Sequence, residues 1–208
     1  MTAQGLFVSF EGIDGSGKST QARRLAASLQ AAGREVVLTR EPGGSTGAEE
    51  IRALVLQGDP DRWSAETELL LFTAARRDHL ERTIRPALAA DRIVICDRFA
   101  DSTRMYQGLS RGDLRGKVDA LHDLMIGAEP DLTLLIDMDP KQALGRAKAR
   151  ATLEERFEDF GQGLQDRMRA GFLALADEFP DRIRVIDGNR DEDAVARDVA
   201  ATVAAHLA

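Results

Sequence analysis

The chain has 208 residues, of which 43% are hydrophobic and 30% charged, a composition that excludes disordered and low-complexity classes. A net charge of −7 argues against nucleic acid and anionic membrane surfaces as partners, because both require a basic face. The single cysteine, Cys96, excludes an intrachain disulfide, and no apolar run could span a bilayer. With no recognisable secretion signal, these features favour a cytoplasmic protein that forms a single domain over 1–208.

Strands and helices are predicted to alternate along the chain. Short apolar runs predict five strands, at 6–10, 35–39, 92–97, 131–137 and 184–187. Apolar residues at helical spacing predict helices at about 22–32, 51–55, 65–90 with a break near Pro86, 117–126, after Pro140, 160–179 and 191–207. This order predicts an α/β fold of three layers, with a five-stranded parallel sheet and helices on both faces.

Polar segments follow the first three predicted strands, at 11–20, 39–44 and 97–99. Ligands of parallel sheets bind beyond the carboxyl ends of the strands. We therefore expect the three segments to form one site.

The first polar segment matches G-x-x-x-x-G-K-[ST] in full and lies between a predicted strand and a predicted helix. Its glycines allow the backbone N–H groups to surround phosphates, and the following helix adds its positive end. Lys18 is expected at the β- and γ-phosphates, and Ser19 at Mg²⁺. The predicted ATP-binding residues are Gly12, Ile13, Asp14, Gly15, Ser16, Gly17, Lys18, Ser19 and Thr20.

Such a loop predicts binding of a nucleoside triphosphate but leaves the reaction open between GTPases, ATPases and small-molecule kinases. A guanine-binding segment of the Asn/Thr-Lys-x-Asp type is not found, since the only asparagine is Asn189 and Arg190 follows it. A GTPase is therefore disfavoured, and a second site for an acceptor would favour a kinase.

Six segments of the chain carry distinctive motifs: residues 10–20 (FEGIDGSGKST), 39–44 (TREPGG), 71–76 (LFTAAR), 97–99 (DRF), 102–108 (STRMYQG) and 130–133 (PDLT). In this order they resemble the motifs of the thymidylate kinase family of P-loop nucleoside monophosphate kinases. The resemblance implies transfer of the γ-phosphoryl group of ATP to dTMP, giving dTDP and ADP, with Mg²⁺ as cofactor. It also implies a homodimer with a small mobile lid.

The resemblance implies that Phe72 stacks on thymine and that Arg76 bonds to its O4. The two residues are four apart and would share a helix face, as such a role requires. Spacing alone leaves a second interpretation open, in which Phe72 is core and Arg76 a solvated charge.

Arg98 and Arg40 are expected to hold the acceptor phosphate, as the family resemblance implies, and Asp97 to organise magnesium at the end of its strand. Glu41 is expected to position its loop or to reach the metal through water. The alternative for Asp97 and Arg98 is an ion pair at the strand end.

Residues 102–107 place two polar pairs on adjacent stripes if the segment is helical. The resemblance puts Thr103 and Gln107 near the base and Tyr106 beside the sugar, and Ser102 is counted with them. A helix-start role is the alternative for Ser102.

Asp14 corresponds to the family position that contacts the acceptor 3′-OH, directly or through magnesium. Because Gly15 follows it, the resemblance implies that the lid, at about 146–158, supplies the catalytic arginine. Arg150 is the first candidate, before Arg146 and Arg156. The predicted catalytic groups are thus Lys18, Arg98, Arg150 and Asp14.

Two other functions stay open at this point. One is a kinase for another monophosphate, such as dCMP or a purine deoxynucleotide. The other is a regulatory protein that uses the phosphate loop only as a switch.

Overall fold

A single parallel sheet of five strands forms the centre of the computed structural model, which describes residues 5–59, 62–109, 112–148 and 162–207. The strand order is β2-β3-β1-β4-β5. The strands are β1 (Phe7–Glu11), β2 (Val36–Arg40), β3 (Ile93–Asp97), β4 (Leu132–Asp137) and β5 (Ile183–Asp187). All five predicted strands and their parallel pairing are confirmed.

Helices connect the strands in the described residues. They are α1 (Lys18–Ala31), α2 (Thr46–Leu56), α3 (Ala65–His79), α4 (Arg85–Ala89), α5 (Ala100–Tyr106), α6 (Arg115–Met125), α7 (Pro140–Lys148), α8 (Gln162–Glu178) and α9 (Glu192–Leu207). The helical interpretation of the segment around Ser102 is confirmed by α5. None of the described helices is both long enough and apolar enough to cross a membrane.

The long helix is interrupted just before Pro86, which confirms the predicted break near this residue. A π-helical turn over Leu80–Ile84 separates α3 from α4, and Pro86 lies in the first turn of α4. Proline has no N–H to donate, so the start of a helix tolerates it, and the wider turn before it absorbs the missing bond.

Side chains alternate between the two faces of the sheet. Val8 and Phe10 of β1 pack with α1 and α9, whereas Phe7 packs on the other face with Leu80 and Phe99. The three central strands β1, β3 and β4 are buried on both faces and are largely apolar runs, which is why they could be found in the sequence.

The strand order brings the three polar segments together. Phe10 in β1 is the register partner of Asp97 in β3, and Asp97 is also the partner of Arg40 in β2. The segments that follow these strands therefore emerge side by side at one edge. Of the predicted lid, Arg146 lies near the end of α7, while Arg150 and Arg156 lie outside the described residues.

Candidate active site

The phosphate loop follows β1 and ends where α1 begins. Gly12, Gly15 and Gly17 have positive φ angles of 137°, 87° and 97°. A Cβ on Gly15 would lie 1.9 Å from the carbonyl oxygen of Ala143 in α7, so this position has no room for a side chain. The turn thus depends on glycine both for its conformation and for its packing.

Lys18 is the first residue of α1 and is only 5% exposed. Its Nζ donates to the carbonyl of Ile13 at 3.1 Å and lies 3.6 Å from Asp14 Oδ1. Burial and the nearby Arg98 lower the pKa of Lys18 to about 8, against the opposing attraction of Asp14. Anionic phosphate at this loop would favour the charged lysine.

Arg98 lies directly after β3 in an unusual backbone conformation, with a φ of 73°. Its N–H donates to the carbonyl of Phe10 at 2.9 Å, which fixes it to the end of β1. Its guanidinium donates to Asp14 and, through Nη1, to Ser102 Oγ at 3.0 Å. A strained backbone at a charged residue beside a phosphate loop is typical of a functional position.

Asp14 is held between three partners. Besides Arg98 and Lys18, it accepts a 2.7 Å hydrogen bond from the hydroxyl of Tyr106. Burial by itself would raise the pKa of Asp14, but Arg98 and Lys18 outweigh it and lower the pKa. The carboxylate is therefore kept ionised between the two cations.

A cavity of about 150 Å³ opens beside these groups. It is lined by most of the predicted acceptor residues and by several that were not predicted. The lining residues are Asp14, Glu41, Pro42, Arg52, Leu56, Phe72, Arg76, Arg98, Phe99, Ser102, Thr103, Tyr106 and Gln107.

Arg76 is 5% exposed and is held by three hydrogen bonds. Its Nε donates to Glu41 Oε2 at 2.7 Å, and its Nη2 donates to Phe99 O at 3.1 Å and to Thr103 Oγ1 at 2.8 Å. In the described part of the chain no hydrogen bond uses Nη1, which leaves this nitrogen for a ligand. The interpretation of Arg76 as a solvated surface charge is therefore wrong.

Glu41 orients Arg76 from the loop after β2. Its other oxygen lies 3.0 Å from Nδ1 of His79, whose Nε2 lies 2.8 Å from Thr39 Oγ1. Arg76 and His79 lower the pKa of Glu41 although burial opposes them. The Glu41–Pro42 peptide is cis. In this structure the carboxylate of Glu41 is engaged by Arg76 and His79.

Glu11, the last residue of β1, was not identified from the sequence. Its carboxylate accepts the N–H of Phe99 at 2.7 Å, the N–H of Ser102 at 3.3 Å and the hydroxyl of Ser102 at 2.6 Å. Glu11 thereby caps the start of α5 from a distant strand. The N-cap residue of this helix, Phe99, makes no side-chain hydrogen bond that could do so. Burial and the neighbouring Asp101 raise the pKa of Glu11 to about 7.

Arg40 is the predicted acceptor residue that the structure does not bring to the cavity. Its side chain is 54% exposed and pairs with Glu49 at 3.1 Å. Another arginine, Arg52 of α2, lines the cavity and donates to the carbonyl of Pro42 at 2.5 Å. No sequence pattern identified Arg52, which lies four positions after the buried Ala48 on α2.

The carboxyl edge of β3 suits a divalent cation. Oδ1 of Asp97, at this edge, is buried with no hydrogen-bond partner in the described residues, and the same is true of the hydroxyl of Ser16 in the phosphate loop. Carboxylate and hydroxyl oxygens are the ligands that Mg²⁺ prefers, and an unpaired buried carboxylate oxygen requires a cation or water. The residues present therefore fit magnesium.

A phosphate loop beside a separate cavity with buried guanidinium groups defines a P-loop kinase that acts on a small phosphorylated acceptor. The family model described as thymidylate kinase matches residues 10–199. The chain belongs to the thymidylate kinase family, whose members transfer the γ-phosphoryl group of ATP to dTMP.

Curated relatives and a solved structure agree with this assignment. A thymidylate kinase from Ruegeria pomeroyi is 76% identical over 207 residues, covering 100% of this chain and 98% of that protein. One from Caulobacter vibrioides is 51% identical, covering 98% of both. The crystal structure of thymidylate kinase from Ehrlichia chaffeensis has a TM-score of 0.77 and 37% identity, over 97% of this chain and 99% of that one. The predicted family, fold and enzyme class are confirmed.

Proposed function

We propose that this chain performs the family's reaction, ATP and dTMP giving ADP and dTDP, with the residue roles given below. The observation that carries the proposal is the contact between Arg98 and Asp14, which joins the acceptor cavity directly to the phosphate loop. A phosphate bound by Arg98 would thus lie beside the phosphates of the donor. Transfer then needs positioning and charge neutralisation, without a covalent intermediate.

The donor site is the loop 12–20. Its backbone N–H groups and the start of α1 bind the phosphates, and Lys18 neutralises charge on the transferred group. Glycine at 12, 15 and 17 allows this geometry because side chains there would be strained.

Arg98 binds the acceptor phosphate. In the free enzyme its guanidinium is held by Asp14 and Ser102, so it is already ordered for a bidentate anion. When Arg98 binds the phosphate, Asp14 can accept a hydrogen bond from the hydroxyl of the acceptor sugar. Tyr106 borders the sugar, since it lies against both Arg98 and Asp14.

The base lies between Phe72 and Arg76. Phe72 offers a ring for stacking, and the remaining Nη1 of Arg76 donates to a carbonyl such as O4. Gln107, with Thr103 beside Arg76, completes the polar part of the cavity. The donor on Arg76 and the amide of Gln107 match the edge of thymine, which presents a carbonyl next to N3–H.

Ser19 and Asp97 would hold magnesium. When bound, the ion neutralises charge on the phosphates of ATP. The negative charge of Asp97 also favours the charged forms of Lys18 and Arg98, because it raises the pKa of each.

The lid at 146–158 supplies a further arginine, Arg150 before Arg146 and Arg156. Closure of such a segment would exclude water that could otherwise hydrolyse ATP. Alanine variants at the three positions, compared for kcat with ATP and dTMP, identify the catalytic one as the largest loss. Wild-type turnover in all three variants would contradict the lid role.

The decisive test of the function is ADP release with a panel of monophosphates: dTMP, dCMP, dGMP and dAMP. We expect ATP turnover to depend on the acceptor and to be fastest with dTMP. ATP turnover that does not increase when dTMP is added would refute the proposal, and a preference for dCMP would change the substrate.

A homodimer is also proposed, with α3 and α6 at the interface. Leu70 and Leu124 are 56% and 78% exposed on these helices, and Met125 is 42% exposed beside them. The two helices are in contact, and exposed apolar side chains on neighbouring helices are typical of an interface. Leu124→Glu should halve the mass measured in solution, whereas Val185→Glu on the edge strand β5 should not. A wild-type protein with the mass of one chain would refute the dimer.

The cellular compartment and the partners are proposed from the cysteine content and the net charge of the chain. Cys96 is buried and forms no disulfide in the described residues, which suits the reducing cytoplasm. The acidic charge leaves small phosphorylated molecules, not nucleic acid, as partners.

A further inference from the structure

A buried carboxylate behind the acceptor cavity takes no part in the proposed binding of ATP or dTMP. Glu68 lies in the first turn of α3 and is fully buried, with an exposed fraction of 0%. Its Oε1 accepts a 2.8 Å hydrogen bond from Nε2 of Gln107, which is itself 1% exposed and lines the cavity. The positive end of α3 favours a negative charge at this position.

The charge of Glu68 decides which way the amide of Gln107 points. A side-chain amide has one end that donates and one end that accepts, and the two ends have nearly the same shape. A carboxylate only accepts, so the NH₂ end must face Glu68. The carbonyl Oε1 of Gln107 then faces away from Glu68, and no hydrogen bond to it is found among the described residues.

Glu68 also belongs to the same helix face as the base-binding residues. Glu68, Phe72 and Arg76 are spaced four apart along α3, so they lie one above another. Arg76 has its own fixed carboxylate, Glu41, which leaves Nη1 as a donor. The cavity would thus present one donor, Arg76 Nη1, which Glu41 orients. It would also present one acceptor, Gln107 Oε1, which Glu68 orients.

This pattern fits one type of pyrimidine. Thymine presents a carbonyl and an N3–H, whereas cytosine presents an amino group and an N3 lone pair. An accepting Oε1 on Gln107 bonds to the first and repels the second. We infer that Glu68 is a positioning residue that selects thymine over cytosine by fixing the amide orientation of Gln107. The inference rests on the proposed acceptor site.

The test compares kcat/KM for dTMP and dCMP in matched variants. In Glu68→Gln the new amide can donate to Gln107 Oε1, so the amide of Gln107 can turn its NH₂ end toward the base. We expect the preference for dTMP over dCMP to fall about tenfold, the effect of one buried hydrogen bond. Glu66→Gln, which changes an exposed carboxylate paired with Lys117 on the same helix, should keep the preference.

A merely structural role would lower kcat/KM for both nucleotides equally, and that result would overturn the inference. The double variant Glu68→Gln/Gln107→Glu covers the case in which Glu68→Gln does not fold. It keeps an amide–carboxylate bond and an accepting oxygen toward the base, so it should regain the preference for dTMP. A double variant without that preference would also overturn the inference.

Binding measurements separate this inference from the proposed reaction. Calorimetric dissociation constants for dTMP and dCMP should show the same change in preference without any turnover. A wild-type protein that binds dTMP but does not phosphorylate it would refute the reaction alone. Glu68→Gln binding dTMP and dCMP with the wild-type ratio would refute the inference alone.

Discussion

The two halves of the active site are built in different ways. The phosphate loop is one continuous stretch from Gly12 to Thr20, and its backbone is expected to do most of the binding. The acceptor cavity is built from side chains of the phosphate loop, the loops after β2 and β3, and the helices α2, α3 and α5. A backbone site therefore depends on local conformation, whereas the cavity depends on hydrogen bonds between distant segments.

Those long-range bonds converge on few carboxylates. Glu11 links β1 to α5 across 88 to 91 positions, and Glu41 links the β2 loop to α3 across 35. Because an unpaired buried charge is costly, each carboxylate fixes the segments that supply its donors. Substitutions in the two halves should consequently fail in different ways.

The largest loss of activity is expected at Lys18, the side chain that supplies the positive charge of the phosphate loop. Lys18→Ala should lower kcat/KM on the order of 10³-fold, because the charge on the transferred phosphoryl group loses its cation. The thermal midpoint should change little. The exposed Lys117→Ala serves as control, and near-normal turnover of Lys18→Ala would contradict the assignment.

Arg98 tests the junction of the two halves. Arg98→Ala and Arg98→Gly should each lower kcat/KM for dTMP on the order of 10²-fold, through loss of the acceptor clamp. Because φ is 73° at this position, the glycine variant should be more stable than the alanine variant by about 1 kcal/mol in chemical unfolding. If the glycine variant kept its activity, the backbone and not the guanidinium would be responsible.

Glu11 tests the acceptor half through pH. Its pKa of about 7 in the folded protein exceeds the ordinary value of 4.5, so its contribution to stability is complete below pH 4.5 and is lost as pH rises through 7. The free energy of unfolding of wild type relative to Glu11→Gln should fall across this window, by up to about 3 kcal/mol.

That difference would be measured by urea unfolding at several pH values. The Glu35→Gln variant, in an exposed pair with Arg92, should show no such slope. A wild-type curve parallel to that of Glu11→Gln would show that Glu11 titrates normally.

The smallest effect is expected at Arg40, the residue that lies outside the cavity. An exposed ion pair such as Arg40–Glu49 is weak, so the guanidinium can leave it for a dianionic phosphate at little cost. Arg40→Ala should raise KM for dTMP about threefold to tenfold and leave kcat nearly unchanged. An unchanged KM at low ionic strength would remove Arg40 from the acceptor site.

The sheet, most helices and the phosphate loop could be predicted from the amino-acid sequence. These features depend on residues that are close together in the chain, in the form of apolar runs, helical spacing and glycines at fixed offsets. The motifs around Phe72, Arg98 and Gln107 were also found, because the family resemblance carries them in chain order, and the structure gathers them around one cavity.

The orientation of those side chains depends on how distant segments pack, and no sequence pattern predicted it. Glu11, Glu68 and Arg52 carry no local signal, since their partners lie elsewhere in the chain or depend on the packing of α2 and α3. Arg40 shows the opposite case. Its place in the sequence predicted a role in the site, but its side chain pairs with Glu49 outside the cavity. Sequence patterns report which groups reach an edge of the sheet, but the hydrogen bonds that aim each group form only when distant segments pack together.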